Sequence, residues 1–114
     1  MKEKRAAVRY NVDVLPENLK HFLLDASIDK DVMAETYDAS SMGIGLSLDT
    51  SVTIFSVNDH IILKSLNNDF RLVAKIRYVY DRGPSGSRIG LEFRNTKSLE
   101  LYRSLLGPLV EKEE

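Results

Sequence analysis

The chain has 114 residues, 43% apolar and 29% charged, which suits one soluble domain with a single core. The formal charge of −1 argues against a general nucleic-acid binder, and the lack of cysteine excludes disulfide scaffolds, thiol catalysis and cysteine-based metal sites. No apolar run approaches the roughly 18 residues of a membrane span, so we expect a cytoplasmic protein without membrane insertion.

The first residues are polar and basic. Residues 1–11 contain Lys2, Lys4, Arg5 and Arg9 against a single acidic Glu3. Such a segment has too few apolar side chains to pack, so it predicts a flexible basic N-terminal arm. Residues 12–114 are then expected to form one domain.

Alternation of apolar and polar residues predicts strands through most of that domain. The predicted strands cover residues 19–27, 31–37, 44–48, 60–66, 70–80 and 88–93, with Asn67-Asn68 as a two-residue hairpin. In the fifth strand one face carries an aromatic and aliphatic stripe that we expect to face the core: Phe70, Leu72, Ala74, Ile76, Tyr78 and Tyr80.

The last element has helical spacing. Asn95 or Thr96 is available as a cap, and Gly107-Pro108 is a break. The apolar residues at helical intervals are Leu99, Tyr102, Leu105, Leu106 and Leu109. The helix is expected over about residues 96–110. About six strands and a closing helix predict a mainly β fold, a small antiparallel barrel with the helix packed across one end.

Two short motifs carry the functional prediction. Arg5 and Arg9 form R-x-x-x-R, and Asp38, Ser40 and Gly43 form D-x-S-x-x-G immediately before a strand. Arginine forks match the Hoogsteen edge of guanine and phosphate oxygens, and a carboxylate accepts from guanine N1–H and N2–H. Serine either donates to phosphate or supports the turn, and glycine permits a close backbone approach or a positive φ.

Each motif alone has an ordinary structural explanation. An arginine pair is most often a solvated face, and the second pattern is most often an Asx-type turn between strands. From average residue usage, both patterns in this order occur by chance in about one chain in a hundred. The pair therefore predicts a site for a small, doubly anionic guanine nucleotide.

With these motifs the chain resembles a PilZ domain, the bacterial receptor module for cyclic di-GMP. The resemblance runs from Lys4 to about Leu106, and Arg88 to Phe93 is similar to the late I-G-x-x-F strand of such domains. It implies a six-stranded antiparallel split barrel with a C-terminal helix, and an N-terminal arm that wraps over the nucleotide. The implied ligand contacts are Arg5, Arg9, Asp38, Ser40 and Gly43, with Lys4 beside them.

The resemblance also implies how such a protein works. Nucleotide binding is expected to order the arm and to change the surface offered to an effector protein, with no catalysis, metal or further cofactor. Many relatives have Arg where this chain has Lys4. In the family this position is associated with whether one ligand or an intercalated pair binds, so the ligand stoichiometry stays open. The oligomeric state, a monomer or a ligand-dependent dimer, stays open as well.

Other functions compete with this one. The chain is alternatively a PilZ-like protein-interaction module that does not bind nucleotide. A barrel that binds single-stranded nucleic acid would use Tyr78, Tyr80 and Phe70 as a stacking face. An enzyme is least supported, because Asp59-His60 lacks the spacing of a catalytic triad.

Overall fold

The computed structural model describes residues 9–25, 31–48, 55–67, 69–81 and 86–107. Within them lie seven strands and one α-helix: β1 (Arg9–Asn11), β2 (His21–Asp25), β3 (Asp31–Ser40), β4 (Gly43–Leu48), β5 (His60–Ser65), β6 (Arg71–Asp81), β7 (Ser87–Glu92) and α1 (Thr96–Leu106). Two 3₁₀ turns, Val12–Val14 and Glu17–Leu19, connect β1 to β2.

Six of the strands in the described part of the chain close into an antiparallel barrel. Their order is β3-β2-β5-β6-β7-β4, and β4 pairs back onto β3. The predicted fold class, a mainly β six-stranded antiparallel barrel with a C-terminal helix, is therefore confirmed. The seventh strand, β1, pairs with β3 and is not predicted by the sequence pattern.

Strand β1 exists because β3 is longer than its neighbour. The first half of β3 pairs with β2, and its second half is free to pair with Arg9–Asn11. The basic composition of the N-terminus predicts a flexible arm that includes these three residues, whereas in the structure they are part of the sheet. Residues 1–8, with Lys4 and Arg5, lie outside the described residues.

The barrel interior is filled by the inward side chains of each strand. Its largest fully buried members include Phe22, Leu46, Leu63 and Ile89. Burial of this apolar surface, at about 25 cal/mol per Å², is the main stabilising contribution.

Helix α1 packs across one end of the barrel. Tyr102 and Leu106 are fully buried, and the Tyr102 ring lies 4.2 Å from the ring of Phe93. Asn95 caps the helix by accepting a hydrogen bond from the Ser98 amide, as predicted. The helix ends at Leu106, earlier than the expected residue 110, because Gly107 adopts a φ of 57°.

A β-bulge alters the exposure of the second half of β6. The register with β7 shifts between Ile76 and Tyr78, so Arg77 is an extra residue. After it, Val79 packs against the core, while Tyr78 and Tyr80 are 40% and 60% exposed. The predicted core position of these two tyrosines is wrong, because the extra residue reverses the alternation.

Several strand boundaries also differ from the predicted ones. β3 runs to Ser40, beyond the predicted end at residue 37, so Asp38 and Ser40 lie in a strand. β2 begins at His21, since Leu19 belongs to a 3₁₀ turn, although its side chain is fully buried as in a strand. The β5–β6 connection is longer than two residues: the Ser65 hydroxyl accepts hydrogen bonds from the amides of Asp69 and Phe70. Asn68 of the predicted hairpin lies outside the described residues.

Candidate functional site

The second motif lies at the β3–β4 hairpin. Asp38 and Ser40 are two residues apart in β3 and so share one face of the strand. Ser41 and Met42 form the bend, and Gly43 begins β4. The motif is thus the end of one strand, a short bend and the start of the next, and the Asp38 carboxylate is held by β3 directly after an irregularity in its pairing with β4.

Ser40 stabilises this bend. Its hydroxyl oxygen accepts hydrogen bonds from the amides of Met42 at 3.1 Å and Gly43 at 3.2 Å. Gly43 is required for a different reason: a Cβ there would overlap the backbone carbonyl of Leu91 on β7. Of the two uses considered for this glycine, the structure has the close backbone approach, because φ at Gly43 is not positive.

Tyr102 ties the same hairpin to helix α1. Its hydroxyl lies 2.6 Å from the Ser40 carbonyl oxygen and 2.7 Å from the Gly43 carbonyl oxygen, so its single proton is shared between them. Burial raises the pKa of Tyr102 well above its ordinary value of 10.0. Sequence reasoning placed Tyr102 only as a helix packing residue. A buried tyrosine in place of phenylalanine is itself the signal, because its hydroxyl requires a partner.

The first motif reaches the second through Arg9. Arg9 lies opposite Ser40 in the β1–β3 ladder, and its Nε donates to Asp38 Oδ2 at 2.7 Å. This hydrogen bond raises the pKa of the Arg9 guanidinium, so Arg9 is charged at any physiological pH. Arg9, Asp38, Ser40 and Gly43 are therefore brought together. Arg5 lies outside the described residues.

Asp38 has one carboxylate oxygen left over. Its Oδ1 is buried and has no hydrogen-bond partner within the described ranges. A Cβ at Gly45 would lie only 2.6 Å from this oxygen, so Oδ1 rests directly on the backbone of β4. Buried polar atoms are usually paired, and this acceptor is an exception that a bound donor would remove.

An open cavity of about 370 Å³ adjoins the hairpin, within the size range of about 300–1,000 Å³ typical of small-molecule sites. It is lined by residues of β1, β4, β6, β7 and the hairpin: Arg9, Ser40, Met42, Gly43, Ile44, Arg77, Tyr78, Gly90, Leu91 and Glu92.

Several charges outside the two motifs also surround this region. Arg77 donates to Glu92 at 2.7 Å, and Arg94 lies 3.7 Å from the same carboxylate. The guanidinium of Arg88 lies 4.6 Å above the ring of Tyr37. With the Arg9–Asp38 pair, these described residues hold four guanidinium groups and two carboxylates. These side chains therefore carry a net charge of about two positive units.

Two tyrosines cover the part of this face next to the cavity. Tyr37 is the extra residue of a second bulge, in β3, and Tyr78 follows the bulge in β6. Their hydroxyls are hydrogen-bonded to each other. Burial is the largest cause that raises the pKa of Tyr37 well above its ordinary value, and this hydrogen bond is the second largest. The Tyr37 hydroxyl therefore stays protonated. Sequence reasoning did not assign Tyr37 to the site, because a bulge leaves no signal in the local pattern.

Comparison with known proteins identifies the fold. No protein-family model and no curated protein matches the chain. A solved structure, the PilZ domain of YcgR from Escherichia coli with cyclic di-GMP, is similar with a TM-score of 0.64 and 16% sequence identity. The match covers 97% of this chain and 95% of that one. The chain therefore has the PilZ fold, as the resemblance in sequence predicted.

In the described ranges, no helix is long and apolar enough to cross a membrane. Over the same ranges, His, Asp and Glu side chains do not converge in groups of three that would hold a metal ion.

Proposed function

We propose that this protein is a receptor for cyclic di-GMP and binds it on the outer face of the barrel beside the β3–β4 hairpin. The observation that carries this proposal is the meeting of Arg9 and Asp38, 29 residues apart in sequence, at 2.7 Å beside the cavity. A guanidinium and a carboxylate in one place offer donors to the Hoogsteen edge of guanine and an acceptor to its Watson–Crick edge.

Arg9 retains most of its donors in this arrangement. An arginine has five N–H groups, and the hydrogen bond to Asp38 uses only the one on Nε. The side chain is 57% exposed and lines the cavity, so its terminal amino groups are accessible to guanine O6 and N7 or to a phosphate oxygen. Arg9 is therefore assigned as a base or phosphate contact.

Asp38 supplies the complementary acceptor. Oδ2 faces Arg9, while Oδ1 has no partner in the described part of the chain. A guanine that presented N1–H and N2–H here would satisfy the unpaired oxygen without breaking the pair with Arg9. Ser40 acts through the hairpin, because its hydroxyl already accepts from two backbone amides. Gly43 keeps the adjacent backbone close to β7.

The charge around the site fits this ligand. Two phosphates of a cyclic dinucleotide bring two negative charges, which would balance the net positive charge of Arg9, Arg77, Arg88 and Arg94 with their two carboxylate partners. Because the site is partly exposed, these charges mainly steer and orient the ligand, and salt would weaken binding. Nucleic acid is disfavoured by the formal charge of −1 on the whole chain.

The response to the nucleotide is proposed to pass through the N-terminal arm. Arg5 precedes Arg9 by four residues, so a ligand held by Arg9 would be within reach of Arg5 and of Lys4 beside it. Binding would fix the arm on the barrel and change the surface met by an effector protein. Such coupling requires tighter binding to the closed form than to the open form. The proposal includes no catalysis, no metal and a cytoplasmic location.

Isothermal titration calorimetry with cyclic di-GMP tests the receptor function. We expect saturable binding that weakens by up to a few kcal/mol in Arg9→Ala and Asp38→Ala, since each change removes a charge-assisted contact. Arg71→Ala, at an exposed arginine that starts β6, is the matched control and should bind as the parent does. No heat at tens of micromolar nucleotide would refute the receptor function, and unchanged binding by both site variants would refute the assignment of the site.

A second candidate function is a PilZ-like interaction module that binds only protein. The observation in its favour is that Arg9–Asp38 and Arg77–Glu92 already form ion pairs, so the main charges have internal partners. Exposed pairs of this kind contribute little, about 0.2–1 kcal/mol, and are readily exchanged for a ligand. The calorimetric titration separates the two functions.

A further inference from the structure

Two neighbouring glycines lie on the outer face of the barrel under the rings of Tyr37 and Tyr78. Gly45 on β4 and Gly90 on β7 are directly opposite each other in the ladder. A Cβ at Gly45 would lie 2.7 Å from Cζ of Tyr37, and a Cβ at Gly90 would overlap the ring of Tyr78. The two rings therefore lie directly against the glycine backbone, and their hydroxyls are hydrogen-bonded to each other.

Two buried polar atoms next to Tyr37 lack partners. Asp38 Oδ1 is an acceptor and Arg88 Nε is a donor, and neither is hydrogen-bonded to any described residue. Arg88 stacks on the ring of Tyr37, and Asp38 is the next residue in the chain. Buried polar atoms are usually hydrogen-bonded, so an unpaired donor and an unpaired acceptor beside one ring call for an explanation, and a bound ligand supplies one.

We propose that Arg88 is an additional nucleotide-binding residue and that the Tyr37–Tyr78 pair is a cover which the nucleotide displaces. This inference rests on the proposed function. A purine ring is flat like the tyrosine rings and would fit against the same glycine backbone. Arg88 would then exchange its stacking on Tyr37 for stacking on the base, while its Nε donates to the base or to a phosphate.

The position of Tyr78 explains how the covered surface is reached. Tyr78 and Gly90 both line the 370 Å³ cavity, and Tyr78 is 40% exposed. A rotation of the Tyr78 ring away from Gly90 extends the cavity across Gly90 and Gly45 toward Arg88. The hydrogen bond between the two hydroxyls holds the cover closed, and the nucleotide shifts the population to the open form.

The test measures cyclic di-GMP affinity in variants of the cover and of Arg88. We expect Arg88→Met to bind roughly ten- to a hundredfold more weakly, and Arg88→Lys to recover only part of the loss because lysine lacks the planar fork. Tyr78→Phe keeps the ring but removes the link to Tyr37, so binding should tighten about two- to tenfold. Tyr80→Phe, at a 60% exposed neighbour, should bind as the parent does.

A second measurement keeps the inference testable if Arg88→Met fails to fold. In protein with ¹³C-labelled tyrosines, saturation with cyclic di-GMP should shift the ring resonances of Tyr37 and Tyr78 strongly and those of Tyr80 weakly. Parent-like binding by Arg88→Lys and Tyr78→Phe, with both ring signals unmoved, overturns the cover while the receptor function stands. A parent protein that binds no nucleotide overturns the receptor function itself, and the cover with it.

Discussion

Replacing Tyr102 with phenylalanine isolates the contact between helix α1 and the hairpin. The change keeps the ring packed on Phe93 and removes only the hydroxyl that serves the carbonyls of Ser40 and Gly43. Leaving buried carbonyls short of a partner costs about 1–3 kcal/mol. For 114 residues the entropy of unfolding is about 0.24 kcal/mol/K, so Tm should fall by about 4–12 °C.

Urea unfolding followed by circular dichroism measures this effect. The midpoint should fall while the slope m stays constant, because the surface exposed on unfolding is the same. Tyr80→Phe, whose side chain is largely exposed, should stay within about 0.5 kcal/mol of the parent. If Tyr102→Phe unfolds at the same urea concentration as the parent, the hydroxyl does not stabilise the hairpin, and the account of how the motif is held is wrong.

Three other changes test separate parts of the fold. Gly43→Ala should destabilise more than Gly90→Ala in thermal melts, because the first methyl meets backbone and the second meets the Tyr78 ring, which can rotate. Asn95→Ala removes the helix cap and should cost about 1 kcal/mol in urea unfolding, whereas Asn95→Asp should keep most of the stability. Above pH 10 the unfolded chain releases the Tyr102 proton that the native state keeps, since burial raises that pKa, so stability should fall by up to about 1.4 kcal/mol per pH unit. Urea midpoints between pH 8 and 11 measure this slope, which should be shallower in Tyr102→Phe.

Much of the barrel follows from local pattern. The strands at 44–48 and 88–93 alternate cleanly, and the structure has β4 and β7 at nearly those positions. The helix cap at Asn95 was also predicted, because Asn followed by a helical apolar repeat is a local signal. Features that depend on only a few adjacent residues were therefore accessible from sequence.

The remaining features depend on register between strands. The bulges at Tyr37 and Arg77 arise where one strand has a residue more than its partner, and neither strand shows this alone. Tyr78 and Tyr80 continue the apolar alternation in sequence, yet the bulge turns them outward. The contacts of Arg88 with Tyr37 and of Tyr102 with the hairpin are equally absent from the local pattern, because each joins residues far apart in sequence.

The pairing of β1 gives the linker that follows it an unexpected importance. Arg9 faces the hairpin while Tyr10 packs against the core, and the ladder that decides this is only three residues long. Sliding it by one position would exchange the two side chains between outside and inside. A single-residue insertion or deletion within Val12–Lys20 would thus turn Arg9 away from Asp38 while every side chain of the site stays the same, so the length of this segment decides which side chain of β1 reaches the proposed nucleotide site.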